Sequence, residues 1–153
     1  MGITIEKLDI DYCRDMAELL NSDQKLHFTL APNKPHTRIS GKEYYDVCKA
    51  WELRKNGSNF VILLDEKPIG SISYHNKDKL IAGCGYWIKS SIWGRGYGKE
   101  AFSMFLPFIK NAGFEYVTAS ILKDNIASWK IWANYTKDIN KDVDRYTPII
   151  KLI

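Results

Sequence analysis

The sequence predicts an α+β fold: a mixed, mostly antiparallel sheet of six to seven strands with helices on both faces. Two patterns lead there. Strand-sized apolar runs follow one another through short polar turns between residues 59 and 88, and longer segments with helical apolar spacing lie on either side of them. A strand, a helix and a further strand between residues 80 and 122 add room for one parallel pairing.

The elements are expected as follows. Residues 3–8 alternate like a short strand, and Asp11 is placed to cap a helix over residues 13–20. Residues 21–40, with Pro32, Pro35 and many polar side chains, read as a loop. Residues 41–55 carry Tyr44, Tyr45, Val47, Cys48, Trp51 and Leu53 at amphipathic helical spacing, ending near Asn56 and Gly57. Three strands should follow at 59–64, 69–75 and 80–88, joined by turns at 65–68 and 76–79. Gly83 and Gly85 lie inside the third, where glycine marks a bulge or a close approach. Residues 99–112 form a helix with Pro107 inside it and Gly113 ending it. A strand at 116–122, a helix at 125–135 and a closing strand at 146–153 complete the order.

Bulk properties limit the function classes. The 153 residues are expected to form one domain, residues 1–153, and the 45% hydrophobic and 26% charged content is that of a globular chain. Cys13, Cys48 and Cys84 are odd in number and widely spaced, and His27, His36 and His75 are scattered, so neither a disulfide framework nor a metal site is expected. Glu6, Asp9 and Asp11 near the start do not fit a secretory signal, and no run approaches the ~20 apolar residues of a membrane span. The expected setting is cytoplasmic, without a membrane. A net charge of +4, mixed in sign along the chain, suits an anionic ligand without demanding nucleic acid.

The most informative stretch begins at Gly85-Tyr86-Trp87 and continues through Trp93-Gly94-Arg95-Gly96-Tyr97-Gly98-Lys99-Glu100-Ala101. It runs strand, turn, helix, with three alternating glycines at the turn. Glycine admits a ligand close to the backbone, and a helix N-terminus presents free amides and a partial positive charge. Together they make a phosphate cradle. The spacing is neither the GxGxxG of dinucleotide folds nor a P-loop. A tight turn without a ligand is the plain alternative.

This stretch resembles the GNAT acyltransferases, in particular the branch containing the ribosomal-protein N-acetyltransferases. That branch shows Gly-Tyr-Trp and then Trp-Gly-(Lys/Arg)-Gly-Tyr-(Ala/Gly)-x-Glu-Ala, and an Asn-x-x-Ser after the next strand, here Asn125-Ile126-Ala127-Ser128. The order of elements along the whole chain is similar too. The resemblance implies a GNAT-like sheet and acetyl-CoA as co-substrate, with no metal. It implies that the amides of Gly94, Gly96, Gly98 and Lys99 hold the pyrophosphate, within a cofactor-binding stretch of Trp93, Gly94, Arg95, Gly96, Tyr97, Gly98 and Lys99. Ile88 would pair its backbone with the pantetheine arm and Asn125 would bond that arm from the other side. Ser128 would protonate the leaving sulfur; a helix-surface serine touching only backbone is the alternative.

The chain also departs from the family pattern. Trp93 stands where Arg or Gln is more usual, and Ala82 occupies the strand position where some members carry a glutamate base. Asp78, His75, Glu43, a water chain, or capture of an already neutral amine remain open for that role. Trp132 takes the place of a tyrosine acid, and Tyr135 is expected to pack. The expected acceptor is a small-molecule amine or a peptide N-terminus, shaped by residues 21–55, with a homodimer as the further partner. A silent coenzyme A-binding module is the competing reading, and an RNA-stacking protein a third.

Overall fold

Eight strands and five helices make up the computed structural model, which describes residues 2–153. β1 (Ile3–Lys7) buries Ile3 and Ile5 alternately and pairs antiparallel with β2 (Gly57–Leu64). Asp65 and Glu66 both have positive φ, 51° and 68°, the two-residue geometry that matches strand twist. The hairpin is therefore tighter than a turn over 65–68, and β3 (Lys67–Asp78) begins inside that expected turn. β3 likewise runs on to Asp78 before β4 (Ile81–Ile88) returns antiparallel to it.

The sheet order is β1-β2-β3-β4-β5-β8-β6, with β7 also on β8. β5 (Tyr116–Thr118) lies parallel to β4, and β8 (Arg145–Lys151) antiparallel to β5. The single strand expected at 116–122 is divided, its second part being β6 (Ile121–Leu122). The division is local. Thr118 faces Ile149 and Ile121 faces Tyr146, three residues on along each chain, so both pieces keep one register on β8. The strand count exceeds the expected six to seven through this break and through β7 (Ile139–Lys141), a short polar strand in a stretch with no apolar alternation.

α1 (Ile10–Ser22) is capped by Asp9, which accepts from the Asp11 amide at 3.2 Å. Asp11, expected as the cap, sits in the first turn, where its charge suits the helix dipole. The expected loop at 21–40 contains a second helix, α2 (Gln24–Leu30), capped by Asp23 and burying only Leu26. Seven residues with one buried position leave no apolar period to read. α3 (Gly41–Lys55) opens on a reciprocal capping box: Ser40 Oγ accepts from the Glu43 amide at 3.1 Å, and Glu43 Oε1 accepts from the Ser40 amide at 3.0 Å. It ends at Asn56 in the left-handed region.

Two apolar layers sandwich the sheet. α1 and α3 cover one face through Cys13, Met16, Tyr44, Cys48, Val61 and Leu63. α4 (Tyr97–Asn111) covers the other with Ala101, Phe102, Phe105 and Ile109, all fully buried, and Pro107 is accommodated within it. α5 (Ile126–Ala133) seats Trp132, 1% exposed, against Phe102 at 4.6 Å between ring centroids. Tyr135 stands edge-on to the same Phe102 at 5.4 Å, a packing contact. Among the described residues no helix is long and apolar enough to cross a membrane.

Candidate active site

The site begins where two strands part. β4 pairs with β5 only over Ile81, Ala82 and Gly83, so the residues from Gly85 to Ile88 have a neighbour on the β3 side alone. The Lys89 amide donates to Ile69 O at 2.9 Å, and backbone direction alternates along an antiparallel strand. The amides and carbonyls of Ile88 and Tyr86, with the carbonyl of Cys84, therefore face the open side, a wedge between β4 and β5, while the Cys84 amide closes the last rung of the ladder on Thr118.

At the wide end of the wedge, a 3-10 turn at Ser90–Ile92 leads into residues 93–99. Gly94 and Gly96 have φ of 82° and 86°, and a Cβ built on either would meet nothing within 4 Å. Gly96 is the N-cap of α4 and has no side chain to offer its first amides. The first backbone bond of that helix runs from the Glu100 amide to Gly96 O at 3.0 Å. Among the described residues, the amides of residues 94–99 meet no protein acceptor. Unpaired donors, open space and left-handed glycines together fit an anionic group such as a diphosphate.

Trp93 turns its indole back on the strand. Its Nε1–H donates to Ile88 O at 2.7 Å, so the group Ile88 retains for a ligand in the wedge is its N–H. Arg95 lies between the two left-handed glycines, while Tyr97, Gly98 and Lys99 form the first turn of α4. Asn125 caps α5, its Oδ1 accepting from the Ser128 amide at 3.3 Å. Ser128 Oγ in turn meets Tyr86 Oη at 3.2 Å. Burial pushes the Tyr86 phenol up from its usual range, while the Ser128 contact opposes that shift only in part. The phenol is therefore protonated, and this side chain from the middle of β4 touches the serine on α5.

Sequence reasoning missed two of these residues for different reasons. Tyr86 lies in the motif that carries the resemblance, and its period-two spacing from Cys84 and Ile88 already placed it on their face. Asp23 gave no local signal. Its carboxylate accepts from the Ser90 amide at 2.7 Å, from Ser90 Oγ at 2.6 Å and from the Leu26 amide at 3.0 Å, tying α2 to the turn before Trp93. Desolvation works against the charged form, but the bonds from Ser90 and Leu26 outweigh it and hold the carboxyl below its usual range.

The open candidates for a base are dispersed. Glu43 is engaged in the capping box of α3, and Asp78 accepts from the Lys79 amide at the β3–β4 hairpin. His75 lies over Gly83, where a Cβ would collide with its ring, and edge-on to Trp51 at 5.7 Å. Burial, then Lys55 and Lys77, hold its pKa below the ordinary value. Ala82 is fully buried.

A mixed sheet parted at its fourth strand, with a bare glycine-rich helix N-terminus at the mouth, defines an acyl-CoA-type transferase scaffold. Residues 3–135 match the acetyltransferase (GNAT) domain family, and the chain belongs to that family, whose co-substrate is acetyl-CoA. Among solved structures, the ribosomal-protein-S5-alanine acetyltransferase of Vibrio fischeri is similar at TM-score 0.79 and 17% identity, over 99% of this chain and 94% of that one. RimL, a ribosomal L7/L12 α-N-protein acetyltransferase solved with coenzyme A, follows at 0.77 and 14%, over 99% and 95%. The protein yncA of Salmonella typhimurium, solved with its cofactor acetyl-CoA, matches at 0.75 and 15%, over 100% and 95%. At these identities the likeness is one of fold. An uncharacterized Methanocaldococcus jannaschii protein, MJ1062, is 30% identical over 87 residues, 54% of this chain but only 18% of that protein.

Proposed function

We propose that this chain is an N-acetyltransferase that acylates a primary amine, either a polypeptide N-terminus or a small-molecule amine, by direct attack on a thioester. The observation that carries the reading is the row of unpaired amides from Gly94 to Lys99 at the mouth of the wedge. Acetyl-CoA, when bound, supplies an electrophilic carbonyl and a thiolate leaving group. The amides of residues 94–99 hold the diphosphate, and the N–H groups of Ile88 and Tyr86 face the wedge, where an arm can pair with them and a developing oxyanion can be held. Asn125 uses its Oδ1 as a helix cap, which leaves its amide hydrogens for the arm.

Ser128 is the proton donor of the proposal. In the proposal Tyr86 donates to Ser128 Oγ, which leaves the serine's own hydrogen free for the leaving sulfur. Tyr86 is thus a positioning residue. The N–C bond forms as the C–S bond breaks; the sulfur takes the Ser128 proton, water takes the proton released by the amine, and the serine is reprotonated from solvent. No side-chain base is required where the amine enters neutral. The buried free thiols of Cys13, Cys48 and Cys84 support a reducing, cytoplasmic setting.

A thiol-release assay with acetyl-CoA against small amines and N-terminal peptides tests the reading. Ser128→Ala is expected to lower kcat at least about tenfold with little change in the KM for acetyl-CoA, and Tyr86→Phe to do the same more weakly. Thiol release untouched in Ser128→Ala removes the proton-donor role. Coenzyme A binding without thiol release across the whole panel favours a silent module.

A further inference from the structure

α2 and the segment after it form, beside the cofactor turn, a cleft of about 690 Å³ that is open along one side. Its lining includes Lys25, His27, Phe28, Lys34, His36 and Trp93, and no carboxylate. His27 and His36 stack at 4.5 Å, and the Nε2 of each lies 2.8 Å from a carbonyl, of Lys34 and of Leu20. A carbonyl only accepts, so each ring carries hydrogen on Nε2 and fastens the segment to α1 and α2. The floor is therefore built. Phe28 is 70% exposed and Trp93 45%, an unusual amount of aromatic surface for a region without an apolar partner.

The charge is one-sided. The ion pairs among the described residues engage Lys7, Arg38, Lys42 and Lys49, leaving Lys25 and Lys34 without a carboxylate within 4 Å. Lys25 feels the neighbouring Asp23, but that carboxylate is bonded to Ser90 and Leu26. Small-molecule sites enclose most of their ligand, whereas a cleft open on one side leaves an extended chain its way out. The Asp23–Ser90 bonds and Trp93 join this cleft to the cofactor turn.

From these features we infer that the cleft receives the first residues of an acceptor polypeptide and favours acidic residues behind its reacting amine. This rests on the acetyl-transfer reading. The test compares, on the intact protein, peptides that share an N-terminal serine and a following phenylalanine but differ in acidic, neutral or basic residues between them. The acidic peptide is expected to have a KM about tenfold below the neutral one at low salt, narrowing toward equality at about 0.5 M salt. Lys25→Glu with Lys34→Glu should reverse that order with the KM for acetyl-CoA unchanged, and the double glutamine variant should level it. A preference that survives in the double glutamate variant, a KM shift for acetyl-CoA instead, or a small carboxylated amine serving as well as the peptide would each overturn the inference. If no acceptor is turned over, the transfer reading fails; calorimetry of the acidic peptide in saturating coenzyme A then decides the cleft alone. Binding that the double glutamate variant loses supports it, and absence of binding refutes it.

Discussion

Two helices of this protein begin in opposite ways. α3 is closed by its own side chains, Ser40 and Glu43 exchanging bonds with each other's amides. α4 starts from a left-handed Gly96 with φ 86° and no side-chain acceptor. Both have the same need, since the first turn of any helix leaves amides without partners. α3 meets it within the chain and gains stability. α4 leaves it unmet beside open space and a wedge in the sheet, the place where the proposed function puts the diphosphate. An uncapped helix start is informative where the sheet next to it is also incomplete.

The comparison can be broken first at its open end. Gly96→Val is expected to abolish coenzyme A binding in calorimetry while far-UV circular dichroism keeps its native shape, because a branched side chain there opposes φ 86° and fills the space the amides face. Retained affinity would show that the amides of residues 94–99 serve something else. A smaller effect is expected at the link behind the turn. Asp23→Asn should raise the KM for acetyl-CoA several-fold, with kcat less affected, by loosening the turn that Ser90 anchors. Its pH signature has a definite sign. The folded carboxyl is held below its usual range, so its stabilisation is complete above the unfolded pKa of about 3.9 and disappears as pH falls through the folded value. Denaturant midpoints of the wild type and Asp23→Asn should therefore differ by a constant amount near neutrality and converge in acid. The smallest change belongs to the closed end: Ser40→Ala should cost about 1 kcal/mol of stability, a Tm shift of about 3 °C, and leave coenzyme A affinity where it was.

The parts of the fold that were legible are those whose signal is local. β2, β3, β4 and α3 stand close to their expected places because apolar period, turn residues and caps agree there. α2 was not legible, since a seven-residue helix with one buried side chain has no period. Nor was β7, which exists through pairing with β8 across the sheet rather than through its own residues. The site divides the same way. The turn from Trp93 to Lys99 and the Asn125–Ser128 pair are sequence motifs, whereas the Asp23–Ser90 link joins residues 67 apart and the Tyr86–Ser128 contact residues 42 apart. Such contacts become visible once the sheet has set which strands are neighbours.

The parted strands have a structural meaning beyond chemistry. Between β4 and the two pieces on β8, the sheet is joined by three rungs alone, at Ile81, Ala82 and Gly83. An arm lying along Cys84, Tyr86 and Ile88 would act as a borrowed strand, bridging two half-sheets that the polypeptide leaves ajar. The guest would then be mortar as well as reactant, and each turnover would briefly loosen the wall it had helped to close.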